Sequence, residues 1–111
     1  MADDTRIELT AVESAARTHA GRDPDKQVNE DASVHRFTRH GFLAVVCDGM
    51  GGHEGGREAS HAAIDAVCDV LEGALSADDP RELLSRAIVE ANARVFAIGG
   101  DAQRQGRPGS T

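Results

Sequence analysis

The run GFLAVVC, Gly41 to Cys47, carries apolar residues straight into Asp48, and five of the eight positions after that aspartate are glycine. A short apolar run with β-branched members, bounded by a turn signal, reads as a strand buried on both faces. Beyond the glycines, Ala59, Ala63, Val67, Val70, Leu71 and Ala74 recur at three- and four-residue steps, predicting an amphipathic helix over Arg57 to Leu75. The junction is therefore strand, glycine turn, helix, with an acidic group at the mouth of the turn. A phosphate is commonly held at such a turn, but an aspartate there points to a cation.

Upstream, SVHRFT supplies Val34 and Phe37 to an earlier strand, and RHG is short enough to join it to Gly41–Cys47 as a hairpin. RIELTAVESA alternates Ile7, Leu9 and Ala11 with polar residues and predicts a first strand, followed by a Gly-, Pro- and Asp-rich loop from Arg17 to Ala32. Downstream, Asp79 is placed to cap a second helix, with Pro80 in its first turn and Glu82 at the capping-box position; Leu84, Ile88, Ala91, Val95 and Ile98 form its apolar stripe. Residues 99–111 read as a flexible tail. Three strands followed by two helices, with hairpin spacing, predict an antiparallel sheet carrying a helical layer in one domain, residues 1–111.

Composition narrows the function. Twelve basic against nineteen acidic side chains give a formal charge of -7, and the only aromatics are three phenylalanines. Nucleic acid and acidic membrane surfaces are disfavoured as partners, and base-stacking platforms are missing. Cys47 and Cys68 lack disulfide or CxxC spacing, and the N-terminus lacks an apolar leader, so a cytoplasmic location is expected.

Among motif readings, a dinucleotide fingerprint starting at Gly49 and Gly51 would need its third glycine where Glu54 stands, and a P-loop would need Lys and Ser or Thr where Arg57 and Glu58 stand. HExxH zinc binding fails at Arg57. What remains is an all-oxygen set: Glu30 and Asp31 open the hairpin whose second strand ends at Asp48, and with carbonyls freed by the glycines they suit Mg²⁺ or Mn²⁺ if the register brings them together. Solvated loop carboxylates are the other reading of the same spacing.

KQVNEDA, VVCDGMGGHEGGREAS and LLSRAIVEANARVF, in this order, resemble the N-terminal motifs of the PPM-type, protein phosphatase 2C, family of metal-dependent serine/threonine phosphatases. The resemblance covers Val12 to Thr111, and the final GST is similar to the start of the family's next strand. It implies an α+β fold, a layered α-β-β-α sandwich of antiparallel sheets flanked by helices, present here as its N-terminal part. It also implies two Mg²⁺ or Mn²⁺ ions and a metal-activated water that attacks phosphoserine or phosphothreonine on a protein. On this resemblance Asp48 matches the bridging metal ligand, Gly49 the residue whose carbonyl joins it, and Glu30 and Asp31 the acidic pair around the ions. Lys26 stands where the family usually places a phosphate-binding arginine. Met50 stands where many eukaryotic members carry a general-acid histidine, and His53 occupies the bacterial-type GMGGH position and is the candidate catalytic histidine beside Asp48. The family draws further ligand aspartates from a C-terminal half, so the expectation is an incomplete site in these 111 residues. A phosphorylated protein is the implied substrate and a serine/threonine kinase a possible signalling counterpart; a catalytically inactive interaction module is the alternative.

Overall fold

The computed structural model describes residues 11–25, 27–51, 53–98 and 107–111. Strand β1, Asp31–Thr38, and strand β2, Gly41–Met50, form an antiparallel hairpin in register from Thr38 opposite Gly41 to Asp31 opposite Asp48. The turn leaves two residues, Arg39 and His40, between the strands. Gly41 takes φ +121, a value that β-branched or bulky residues avoid. The Thr38 hydroxyl closes the turn by donating to the Gly41 carbonyl at 2.8 Å and accepting from the His40 amide at 3.1 Å.

Helix α1 spans His53–Glu72 and helix α2 Pro80–Ile98. Both lie on one face of the hairpin, where Ala32, Leu43 and Cys47 are buried with Ala63, Ile64, Ala66, Val67, Leu71, Leu83, Ala87 and Ala91. The expectation that β2 is buried on both faces is corrected here. Period-2 alternation sends Leu43, Val45 and Cys47 to the helices and leaves Val46, 76% exposed, on the other side. On that outer face the segment before the sheet makes a contact, with the Ser14 hydroxyl and the His35 ring 2.6 Å apart.

Helix α1 begins four residues before the expected Arg57, running through Gly55 and Gly56 despite their poor helix propensity. For α2 the cap is as expected: the Asp79 carboxylate accepts the Arg81 amide at 3.0 Å and Pro80 is the first helical residue. Its stripe is corrected. Leu83, Ala87 and Ala91 are buried, whereas Leu84 and Ile88 are exposed. Small residues at 87 and 91 let α2 approach α1 closely, and Arg94 ties the pair by bridging Asp69 on α1 and Glu90 on its own helix.

Among the described residues, the third strand does not come from the segment before β1. Residues 11–20 form no strand, and Ile7 and Leu9 lie outside the described residues. Instead β3, Gly109–Ser110, pairs antiparallel with the end of β2, placing Ser110 opposite Gly49 and giving the order β1-β2-β3. The end of the expected flexible tail is thus a strand; its adjoining residues 99–106 lie outside the described residues. Among the described residues the fold is α+β, a three-stranded antiparallel sheet with α1 packed on one face of the hairpin and α2 packed against α1 and β3.

Candidate active site

The chemistry-bearing residues gather at the end of the sheet opposite the hairpin turn. Asp48 sits on the central strand, held on one side by β1 and on the other by Thr111, with which it exchanges both backbone hydrogen bonds at 2.6 and 2.9 Å. Asp31 opens β1 directly opposite Asp48, so the two carboxylates project from the same face of neighbouring strands. Of the spacings the hairpin could have adopted, this register is the one that joins them.

The Asp31 carboxyl is held above the ordinary carboxylate range. Lost hydration is the largest cause, followed by the charge of Asp48, a hydrogen bond shared with Asp48, and the charge of Glu30. Asp31 is solvent-exposed, so screening limits what this costs the fold. The arrangement is still that of two like-charged groups across a strand pair, which a proton or a cation relieves.

Glu30 is anchored through its backbone, its carbonyl accepting the Gly49 amide at 3.1 Å. Its side chain runs to the start of α1: a Cβ on Gly56 would lie 3.0 Å from the Glu30 Cδ and 3.1 Å from Oε2. A carboxylate over the first turn of a helix is favoured by the unpaired amides there.

The glycines meet a steric demand. A Cβ on Gly49 would lie 2.5 Å from the Glu30 carbonyl oxygen and 2.6 Å from the Gly56 carbonyl carbon, so three backbone segments cross at that point. Gly51 has φ +117 and would collide with Pro108. The turn therefore draws β1, β2, the start of α1 and the lead into β3 together behind Asp48.

Of the residues singled out from the sequence, Asp31, Asp48, Glu30 and Gly49 are brought together here. Met50 is exposed on the adjoining position. His53 is the first residue of α1, but its side chain, like Lys26, lies outside the described residues. Among the described residues, no group of three or more His, Cys, Asp and Glu side chains is placed to hold a metal ion. The convergent pair is Asp31 and Asp48, with Glu30 close enough to act on it by charge. An all-oxygen pair of this kind is of the donor type that a hard divalent cation takes, and it would supply part of a coordination shell.

Sequence reasoning overlooked Asn29. Its carboxamide accepts the Asp31 amide at 3.0 Å and donates to the Thr18 hydroxyl at 2.6 Å. The signal was available in NED, since Asn two residues before a strand amide is an Asx turn.

Comparisons with known proteins return protein phosphatases. The model of the family described as "Protein phosphatase 2C" matches residues 20–107, which hold the acidic pair, the glycine turn and both helices. A Mycoplasma genitalium protein described as "Putative protein phosphatase" is 36% identical over 50 residues, covering 45% of this chain. The match spans 19% of that protein's length.

Proposed function

The chain belongs to the protein phosphatase 2C family, and from that premise we propose that it carries the N-terminal part of a metal-dependent site that hydrolyses phosphoserine and phosphothreonine on proteins. The observation that carries the reading is the Asp31–Asp48 register. It sets two carboxylates side by side on a backbone crossing tight enough to exclude any side chain at residue 49.

Asp48 and Asp31, with the Gly49 carbonyl and Glu30 beside them, would hold Mg²⁺ or Mn²⁺. Such ions supply an activated water and neutralise charge on the phosphoryl group. The chain's own contribution is position. Asp48 is clamped through its backbone between β1 and Thr111, so its Cα is placed beside Asp31 before any ion binds. Glu30 sets its carboxylate beside the first turn of α1, where it adds negative charge next to the Asp31–Asp48 pair. Lys26 is assigned to the substrate phosphate, as a point charge lacking the fork of arginine. His53 is left without a proton-transfer role.

Substrate and setting follow as proposals: a phosphorylated protein opposed by a serine/threonine kinase, in the cytoplasm. Among the described residues no helix is long and apolar enough to cross a membrane, and Cys47 and Cys68 are free.

The test uses the full-length protein and a phosphorylated peptide. Hydrolysis should require Mg²⁺ or Mn²⁺, and Asp48→Asn should remove both turnover and Mn²⁺ binding while leaving the melting temperature near that of the parent. Unchanged turnover in Asp48→Asn would sink the assignment.

A second reading, an interaction module without turnover, draws on one feature. Val45, Val46, Ile88, Ala91, Val95 and Phe96 line an open apolar groove of about 460 Å³ beside β3. Mn²⁺ affinity too weak to measure, with no turnover in the full-length protein, would favour it.

A further inference from the structure

Two hydrogen bonds converge on one carboxamide that neither the metal nor the phosphate reading employs. Asn29 Oδ1 accepts from the Asp31 backbone N–H at 3.0 Å, and Asn29 Nδ2 lies 2.6 Å from Thr18 Oγ1, eleven positions earlier. The first partner can only donate, so Oδ1 faces it. Nδ2 is therefore the donor to the threonine hydroxyl.

The Thr18–Asn29 bond closes a loop that already has internal turns. His19 Nδ1 accepts the Gly21 amide at 2.8 Å, Asp23 Oδ1 accepts the Asp25 amide at 2.9 Å, and the Asp23 carbonyl accepts from the Gln27 carboxamide. A segment of this kind behaves as a compact unit whose ends are held together. Its far end leads directly into the site. Asn29 holds the amide of Asp31, Glu30 is tied through its carbonyl to Gly49, and Asp31 stands opposite Asp48.

Residue chemistry narrows what position 29 can be. Aspartate or serine could form the same turn onto the Asp31 amide. Aspartate could accept from both the Asp31 amide and the Thr18 hydroxyl but would add a negative charge beside two carboxylates; alanine can accept from neither. Asparagine joins the loop to the acidic pair without adding charge beside it.

We propose that Asn29 is a positioning residue for cation binding by Asp31 and Asp48, with Thr18 as its anchor, so that the segment before the sheet sets the geometry of the acidic pair. This rests on the metal reading above. An outer residue that orients a ligand commonly changes metal affinity by about tenfold or more when removed.

The experiment uses the full-length protein and four variants, Asn29→Ala, Asn29→Asp, Thr18→Val and Thr18→Ser. Three quantities are measured: Mn²⁺ affinity by calorimetry, Asp31 amide hydrogen exchange by NMR without metal, and the melting temperature. Asn29→Ala should weaken Mn²⁺ binding by about tenfold and speed Asp31 exchange by about fivefold. Thr18→Val, which keeps the Asp31 turn and touches no strand, should move both in the same direction by a smaller factor with melting within about 2 °C. Thr18→Ser should restore them, and Asn29→Asp should speed exchange less than Asn29→Ala does.

Parental affinity and exchange in Asn29→Ala would overturn the proposal. If that variant fails to fold, parental values in Thr18→Val overturn it instead. A parent chain that binds no Mn²⁺, with exchange still faster in Asn29→Ala, would overturn the metal reading of this chain and leave Asn29 as a positioning residue for Asp31 alone.

Discussion

Alanine at position 49 would place a methyl carbon 2.5 Å from the Glu30 carbonyl oxygen and 2.6 Å from the Gly56 carbonyl carbon, and nearer still to the Gly56 oxygen. Ordinary contacts at Cβ begin near 3.4 Å, so β2 would have to move by about 1 Å away from both β1 and the start of α1. Neither neighbour is a side chain that can swing aside. Overpacking a close-packed site costs about 1–3 kcal/mol, and the upper end applies because the Gly49–Glu30 hydrogen bond of 3.1 Å also lengthens. Against a total stability of roughly 5–15 kcal/mol for a single domain, a loss of about 3 kcal/mol should lower the melting temperature by roughly 12–24 °C. Thermal unfolding by circular dichroism reads this directly. Gly109→Ala is the control: its Cβ would meet the Met50 Cγ at 3.4 Å, and it should melt within about 3 °C of the parent. If Gly49→Ala also melts within that range, the three-way backbone crossing is not what the glycine is for.

Three further outcomes follow from the packing and electrostatics. Leu83→Ala should cost about 2–5 kcal/mol because Leu83 is fully buried, whereas Leu84→Ala, on an exposed side chain, should cost under about 1 kcal/mol; equal losses in urea titrations would contradict the assigned face of α2. The folded chain binds the Asp31 proton more tightly than the unfolded chain, so stability should fall as pH rises from the ordinary carboxylate value of 3.8 through the raised folded value. Asp31→Asn should remove that slope, and pH-dependent melting that is identical in the two proteins would refute it. Burial pushes the Cys47 thiol up, only partly offset by its hydrogen bond to Ser110, so iodoacetamide at pH 8 should modify Cys47 far more slowly in the native chain than in urea. Mass spectrometry of the alkylated peptides would reveal rapid native modification if the site is open.

Local chemistry alone was enough for several elements. The Asp79–Pro80 start of α2 follows from capping and from the fixed φ of proline, and the hairpin follows from two apolar segments separated by a short turn. Asp48 at the end of an apolar strand was legible in the same way, and so was its role as the first acidic residue to test. Other features depended on partners that sequence spacing does not identify. On α2, Leu83-Ala87-Ala91 and Leu84-Ile88-Ala91 are both acceptable helical stripes. Packing against α1 selects the first because alanines permit close approach, and this exposes Ile88 to 64%. Strand β2 has an apolar pattern suited to burial on both faces, yet the helices cover one face. The third strand comes from the far end of the chain because Thr111, remote in sequence, meets the backbone of Asp48. The same distinction runs through the site. Asp, Glu and Gly in this pattern suggested an oxygen-donor cation site, but a one-residue change of register would separate Asp31 from Asp48 onto opposite faces. Tertiary structure decided that they meet, that Glu30 turns to α1, and that Asn29 holds the amide of Asp31, because each depends on contacts between segments whose separation in the sequence carries no record of their approach.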